Sequence, residues 1–138
     1  MNEFVFSDFY VDMTQSFERT ITAEMMDKFR EISGDDNPMH CDGDFARESG
    51  FADRLVYGML TASLYSTLVG VYLPGKHALF QEIETNFRNP VFIGDTLTVT
   101  GTVVELKEKF NRLIIKAVIK NQNGKTVSKA TIKAGVLR

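Results

Sequence analysis

The chain has no tryptophan, only two histidines and a single cysteine, Cys41. One cysteine cannot form an internal disulfide, which agrees with a reducing cytoplasm. The residues after Met1 contain neither the basic region nor the apolar run of a signal peptide. We therefore expect a cytoplasmic protein.

Neither sign of charge is in large excess, and long apolar runs are few. The formal net charge is -2, and no Lys/Arg cluster with interleaved aromatic residues is present. This distribution argues against a nucleic-acid partner. The longest apolar segment, residues 55–71, spans about 17 residues, near the lower limit for a membrane span, and it contains several hydroxyl groups. We expect a buried helix there and no association with a membrane.

The composition present is that of a globular protein with a core. The chain has 138 residues, of which 43% are hydrophobic and 25% charged. These values predict one domain over residues 1–138. The first half predicts a strand at 14–21, a helix capped by Thr22 and ended by Gly34, a loop at 35–54 with a short helix near 44–48, and the apolar helix at 55–71. The expected buried face of the first helix contains Met25, Met26, Phe29 and Ile32.

From His77 onward the apolar residues alternate with a period of two. Strands are predicted at 78–87, 96–103, 112–120 and 125–136, with a hairpin turn at Asn123-Gly124, where both residues tolerate positive φ. One apolar helix against a curved antiparallel sheet is an α+β arrangement. An open sheet edge or apolar rim invites a second copy, so we expect a homodimer.

The segment Asp35-Asp36-Asn37-Pro38-Met39-His40 holds the densest set of proton-transfer groups. If the chain doubles back at Pro38, the carboxylate of Asp35 and the imidazole of His40 can share one water and exchange a proton near neutral pH. The alternative is a capping aspartate and a loop histidine without a chemical role.

Gly58, near the start of the apolar helix, allows two interpretations. Its amide and the helix dipole can stabilise an oxyanion, or the glycine serves close helix packing. A metal site finds no support, because an EF-hand beginning at Asp35 would place Ala46 at its acidic twelfth position, and one histidine with scattered carboxylates is not a zinc set. Cys41 reads as a partly buried thiol rather than a nucleophile.

Several segments resemble the MaoC-like, (R)-specific enoyl-CoA hydratase family over roughly residues 15–136. The most specific are residues 33–40 (SGDDNPMH) and the Gly58-Met59 step. Residues 44–46 (DFA), 51–60 (FADRLVYGML), 63–66 (SLYS), 73–75 (LPG) and 87–96 (FRNPVFIGDT) agree in order and spacing. The Pro-Val-x-x-Gly-Asp part is shared more widely among hot-dog proteins, including thioesterases.

The resemblance implies a dimeric hot-dog fold, with the long central helix wrapped by the sheet. It also implies reversible hydration of a trans-2-enoyl thioester to an (R)-3-hydroxyacyl thioester without a metal or redox cofactor. Asp35 and His40 match the catalytic dyad. Gly58 matches the residue whose amide holds the thioester carbonyl. Ser66 matches a hydroxyl that supports the carboxylate, and Asn37 matches the motif's amide.

One position departs from the family pattern. Histidine is common before this glycine in the family, and this chain has Tyr57, which we expect to contribute to substrate binding rather than to the catalytic step. The change leaves the pocket shape and the substrate open. Short acyl chains are expected, carried on CoA or on acyl carrier protein. A hot-dog acyl-CoA thioesterase and a non-catalytic acyl-thioester binding protein are the alternative functions.

Overall fold

The computed structural model describes residues 1–138 and contains one five-stranded antiparallel sheet. The strands are β1 (Thr14–Thr20), β2 (Ala78–Phe87), β3 (Thr96–Lys107), β4 (Arg112–Lys120) and β5 (Thr126–Val136). Their order across the sheet is β1-β3-β4-β5-β2, so β1 and β2 form the two edges. Every predicted strand is confirmed, and β3 continues four residues beyond its predicted end.

The chain also forms four α-helices. They are α1 (Ala23–Ser33), α2 (Pro38–Cys41), α3 (Gly43–Glu48) and α4 (Gly58–Thr67), and α4 continues as a π-helical segment, Leu68–Tyr72. Short 3-10 turns lie at Phe6–Asp8 and Glu108–Phe110. None of the helices has the length and apolar character that crossing a membrane requires.

The alternating pattern of the strands places one face of the sheet against the helix. In β4 the residues Leu113, Ile115, Ala117 and Ile119 are buried, while Lys116 and Lys120 are exposed. The helical segment after α4 approaches the middle of the sheet closely, because a Cβ atom on Gly101 would lie 2.8 Å from Cδ2 of Leu68. The predicted antiparallel sheet packed on a central helix is confirmed.

The central helix begins later than predicted. Residues 55–57 are extended, because the Leu55 amide donates to the Met39 carbonyl and the Val56 amide donates to the Val91 carbonyl. The first helical residue is therefore Gly58. This extended entry ties the start of α4 to α2 and to the loop before β3.

Two further expectations for the first half are corrected. Pro38 begins α2, at a position where its missing N–H costs nothing, in a segment expected to be loop. Ile32, assigned to the buried face of α1, is 84% exposed. α1 does begin after the Thr22 cap, whose hydroxyl accepts from the Met25 amide, and it ends at Gly34 with φ 71°.

The hairpin between β4 and β5 is present, with a different turn from the one predicted. Gly124 has φ 73°, whereas Asn123 is not among the residues with positive φ. The Asn121 carboxamide oxygen accepts from the amides of Asn123 and Lys125 at 3.0 Å each, and this side chain holds the turn.

Candidate active site

The segment after α1 is held by short-range hydrogen bonds that fix Asp35. The Asp35 amide donates to the Ser33 hydroxyl at 3.2 Å, and one carboxylate oxygen of Asp35 accepts from the Asn37 amide at 3.0 Å. Arg30 pairs with Asp36 at 2.6 Å, and this hydrogen bond and the adjacent negative charge raise the pKa of Arg30. The other carboxylate oxygen of Asp35 has no partner in the chain and faces solvent.

The imidazole of His40 is fixed by the entry to α4. Its Nδ1 lies 2.8 Å from the Leu55 carbonyl oxygen. A carbonyl only accepts, so Nδ1 carries the hydrogen and Nε2 is the atom available for proton exchange. His40 and Asp35 make no direct hydrogen bond, so the arrangement leaves a proton to pass through a third group such as a water.

Tyr57 contacts both members of the predicted dyad. Its ring stacks on the His40 ring with centroids 4.2 Å apart, and its hydroxyl donates to the Asp35 main-chain carbonyl at 2.7 Å. Burial, a hydrogen bond with Cys41 and nearby negative charge raise the pKa of Tyr57 to about 12. The phenol therefore stays protonated at neutral pH. Cys41 is partly buried, as predicted, with Sγ 3.6 Å from the Tyr57 oxygen.

The N-terminus of α4 is uncapped. Tyr57 stands at the capping position without a side-chain cap, and the Gly58 amide has no hydrogen-bond partner within the chain. A Cβ atom on Gly58 would lie 3.3 Å from the Phe87 ring, so this glycine also serves close packing. The geometry is therefore compatible with both proposed roles of Gly58, as an amide donor and as a close-packing residue. Free amides at a helix N-terminus are suited to bind a developing oxyanion.

His40 and Gly58 line one cavity of about 380 Å³. Its volume lies in the range of small-molecule sites. Apolar side chains make up much of the remaining wall, which also includes polar residues from the β2–β3 loop. The lining consists of His40, Phe51, Leu55, Val56, Gly58, Thr61, Phe87, Arg88, Asn89, Pro90, Val91 and Val127.

The other predicted site residues lie away from this lining. The Asn37 side chain caps α2, with its oxygen accepting from the Met39 amide at 2.9 Å. Ser66 lies exposed on α4 without a hydrogen bond to Asp35. Asp35 and Tyr57 are also absent from the lining, although the Tyr57 ring stacks on His40 and its hydroxyl binds the Asp35 carbonyl.

Thr61 is a polar cavity residue that sequence reasoning missed. It is 2% exposed, and its hydroxyl is the buried side-chain oxygen that has no hydrogen-bond partner. Its position three residues after Gly58 puts both residues on one face of α4. The sequence signal that could have identified Thr61 is this spacing from the glycine, which the other hydroxyl residues of α4 do not share.

A family model described as MaoC like domain matches residues 10–128. The chain belongs to this family. The MaoC-like match includes the Asp35–His40 segment, α4 and most of the sheet. The resemblance of the motifs is thereby confirmed across most of the chain.

Two curated relatives of this MaoC-like chain are enzymes. A mitochondrial 3-hydroxyacyl-acyl-carrier-protein dehydratase from Arabidopsis thaliana is 36% identical over 98 residues, which are 71% of this chain and 58% of that protein. A 3-hydroxybutyryl-CoA dehydratase from Methylorubrum extorquens is 39% identical over 101 residues, which are 73% of this chain and 64% of that protein. The chain thus spans less than two thirds of the length of either relative.

A solved structure matches the MaoC-like chain nearly end to end. It is the (R)-hydratase from A. caviae involved in PHA biosynthesis, with a TM-score of 0.89 and 30% identity. The match covers 93% of this chain and 97% of that one. The α+β hot-dog fold is confirmed by this similarity and by the observed sheet order.

Proposed function

We propose that this MaoC-like protein is an (R)-specific enoyl-thioester hydratase, a hydro-lyase that adds water reversibly to trans-2-enoyl thioesters. The observation that carries the proposal is that the tautomer-fixed imidazole of His40 and the uncapped helix start at Gly58 line one cavity. A base and an oxyanion donor on one cavity are what addition to an α,β-unsaturated thioester requires. The matched A. caviae structure is that of an (R)-hydratase, which supports the proposal.

In the proposed reaction, Asp35 and His40 hold the water between them. Hydroxide is added to C3 of the substrate, and a proton is delivered to C2 on the same face. As the bond to C3 forms, negative charge develops on the thioester oxygen, and the Gly58 amide stabilises it. The thioester itself acidifies C2, so the reaction needs no metal or redox cofactor.

The acyl chain is proposed to occupy the apolar part of the cavity, between Leu55, Val56 and Val91. A space of about 380 Å³ favours short chains over long or bulky ones. The carrier of the acyl chain is proposed to be CoA or acyl carrier protein, since the named relatives include a dehydratase of each kind. We further propose that residues 1–138 act as one domain, because 25 of the 26 buried hydrophobic residues form a single cluster. A cytoplasmic location is proposed separately, on the single cysteine.

The deciding experiment separates hydration from thioester hydrolysis. Crotonyl-CoA and longer straight-chain enoyl-CoA thioesters are supplied, and the loss of enoyl absorbance and the release of free thiol are recorded in parallel. We expect loss of absorbance without thiol release, with kcat/KM decreasing as the acyl chain lengthens. Enoyl thioesters of acyl carrier protein are tested in parallel, and the substrate series with the higher kcat/KM identifies the acyl carrier.

Each alternative gives a different result in the same experiment. Thiol release without prior loss of absorbance indicates a thioesterase and contradicts hydration. Saturable binding of enoyl-CoA and enoyl-acyl-carrier-protein thioesters, with neither loss of absorbance nor release of thiol, indicates a non-catalytic binding protein.

We also propose a homodimer formed through β2. This edge strand has Leu79, Phe80, Ile83 and Phe87 exposed by 50%, 37%, 39% and 50%. The opposite edge, β1, has only polar and charged residues on its exposed positions, which are Thr14, Ser16, Glu18, Arg19 and Thr20. A long apolar edge strand attracts another strand, and antiparallel pairing of two copies of β2 would join their sheets and cover these side chains.

A charge placed on β2 tests the dimer. Ile83→Lys is expected to convert the protein to a monomer in sedimentation at micromolar concentration, because two lysines related by the twofold axis would face an apolar interface. Ile32→Lys, a charge placed on an exposed apolar residue of α1, is the matched control and should remain dimeric. A dimeric Ile83→Lys protein, or a monomeric wild type, contradicts pairing through β2.

A further inference from the structure

Tyr57 occupies the position where the family commonly has histidine, and the structure gives its side chain a specific set of contacts. Its ring packs against Phe29 of α1, with centroids 4.8 Å apart, and against His40 of α2 at 4.2 Å. Its hydroxyl reaches the Asp35 carbonyl at 2.7 Å. It is 2% exposed and does not line the cavity.

The direction of these hydrogen bonds is fixed by their chemistry. The Asp35 carbonyl has no hydrogen to give, so the single phenol hydrogen points to it. The thiol of Cys41 then donates to the Tyr57 oxygen across 3.6 Å. The phenol hydroxyl therefore holds, through its hydrogen bond, the main chain of the residue that carries the Asp35 carboxylate.

Other hydrogen bonds that hold this segment are local. The Asp35 carboxylate binds the Asn37 amide, and the Asp35 amide binds the Ser33 hydroxyl. Neither of these hydrogen bonds sets the position of the carboxylate relative to His40. The bond from Tyr57 does, because the same side chain stacks on the imidazole, and the imidazole is anchored to Leu55 just before Tyr57 in the chain.

We infer that Tyr57 is a positioning residue that sets the placement of Asp35 relative to His40, with its hydroxyl holding the Asp35 main chain and its ring holding the imidazole. This inference rests on the proposed function for its kinetic consequence. A misplacement of about 1 Å between reacting groups costs up to roughly 100-fold in rate. The hydrogen bond between the Tyr57 hydroxyl and the Asp35 carbonyl is only partly buried, and a single hydrogen bond adds little net stability, so we expect the fold to remain intact when the hydroxyl is removed.

The test is Tyr57→Phe, which removes the hydroxyl and retains the ring. We expect kcat for enoyl-CoA hydration to fall by about 10-fold to 100-fold, with KM within about threefold of wild type. The melting temperature should decrease by less than about 5 °C. Tyr72→Phe is the matched control, because the Tyr72 ring stacks on Phe17 and its hydroxyl makes no hydrogen bond.

Two kinetic outcomes overturn the inference. One is a kcat within about threefold of wild type. The other is a loss of activity that matches a loss of folded protein, since this would indicate a purely structural residue.

A second readout needs no turnover and so separates this inference from the proposed function. The Asp36 amide shares a peptide group with the Asp35 carbonyl, and its NMR resonance should move in Tyr57→Phe, while the His40 ring resonances stay in place. If the wild type hydrates no enoyl thioester, the proposed function fails, and an Asp36 resonance that also stays in place then overturns the positioning role as well.

Discussion

Asp35→Asn and His40→Ala are each expected to reduce the kcat for crotonyl-CoA hydration by roughly 10²-fold to 10⁴-fold, the contribution of a positioned general acid or base. Asparagine cannot take a proton from water, and alanine removes the Nε2 atom that the Leu55 carbonyl leaves available. The measurement is the rate of loss of enoyl absorbance at saturating substrate. The double variant should be no slower than the slower single variant, because the two groups act on one water.

Two neighbouring substitutions serve as controls. Asp36→Asn removes a carboxylate that forms an exposed pair with Arg30, and such pairs contribute about 1 kcal/mol or less to stability. His77→Ala removes the chain's other histidine, just before β2. Both should retain activity. Full turnover by Asp35→Asn or by His40→Ala, in folded protein, would remove that residue from the mechanism.

Leu68→Ala is expected to lower the free energy of unfolding by about 2–5 kcal/mol, the usual cost of emptying a buried leucine site. Leu68 is 0% exposed and fills the space above Gly101, where a Cβ atom would lie 2.8 Å from its side chain. The rigid backbone of β3 cannot move in to close the gap. Thermal unfolding should show a decrease of roughly 5–20 °C in melting temperature.

Ile32→Ala is the matched control for the core substitution. Ile32 is 84% exposed on α1, so truncating it should change the free energy of unfolding by no more than about 0.5 kcal/mol. Equal destabilisation by the two substitutions would contradict the packing of the segment after α4 against the sheet.

The strand pattern was readable from the sequence because each strand has a buried face and an exposed face. Leu113, Ile115 and Ile119 alternate with exposed lysines, and the predicted β4 and β2 agree with the structure to the residue. The turn at Asn123 was less readable, because residues that tolerate positive φ do not always adopt it. A side-chain hydrogen-bond network centred on Asn121 set the turn instead.

The helical half was predicted less accurately, for reasons that lie outside the local pattern. Leu55 and Val56 are apolar and were assigned to the long helix, yet hydrogen bonds to Met39 and Val91 hold them extended. Ile32 follows Phe29 by three residues and Met25 by seven, both of which are helical spacings, and only the packing of α1 determines that Ile32 is 84% exposed while the other two are half-buried.

The α+β class, the MaoC-like family and the two residues proposed for proton transfer could be predicted from the amino-acid sequence. These properties depend on alternation, capping and short motifs, which are local in the chain. The surroundings of those residues follow from tertiary contacts: the Leu55 carbonyl that fixes the His40 tautomer, the cavity shared with Gly58, and the contact of Tyr57 with both Asp35 and His40. Each of these joins residues at least 15 positions apart, and so depends on how distant segments pack rather than on a local sequence pattern.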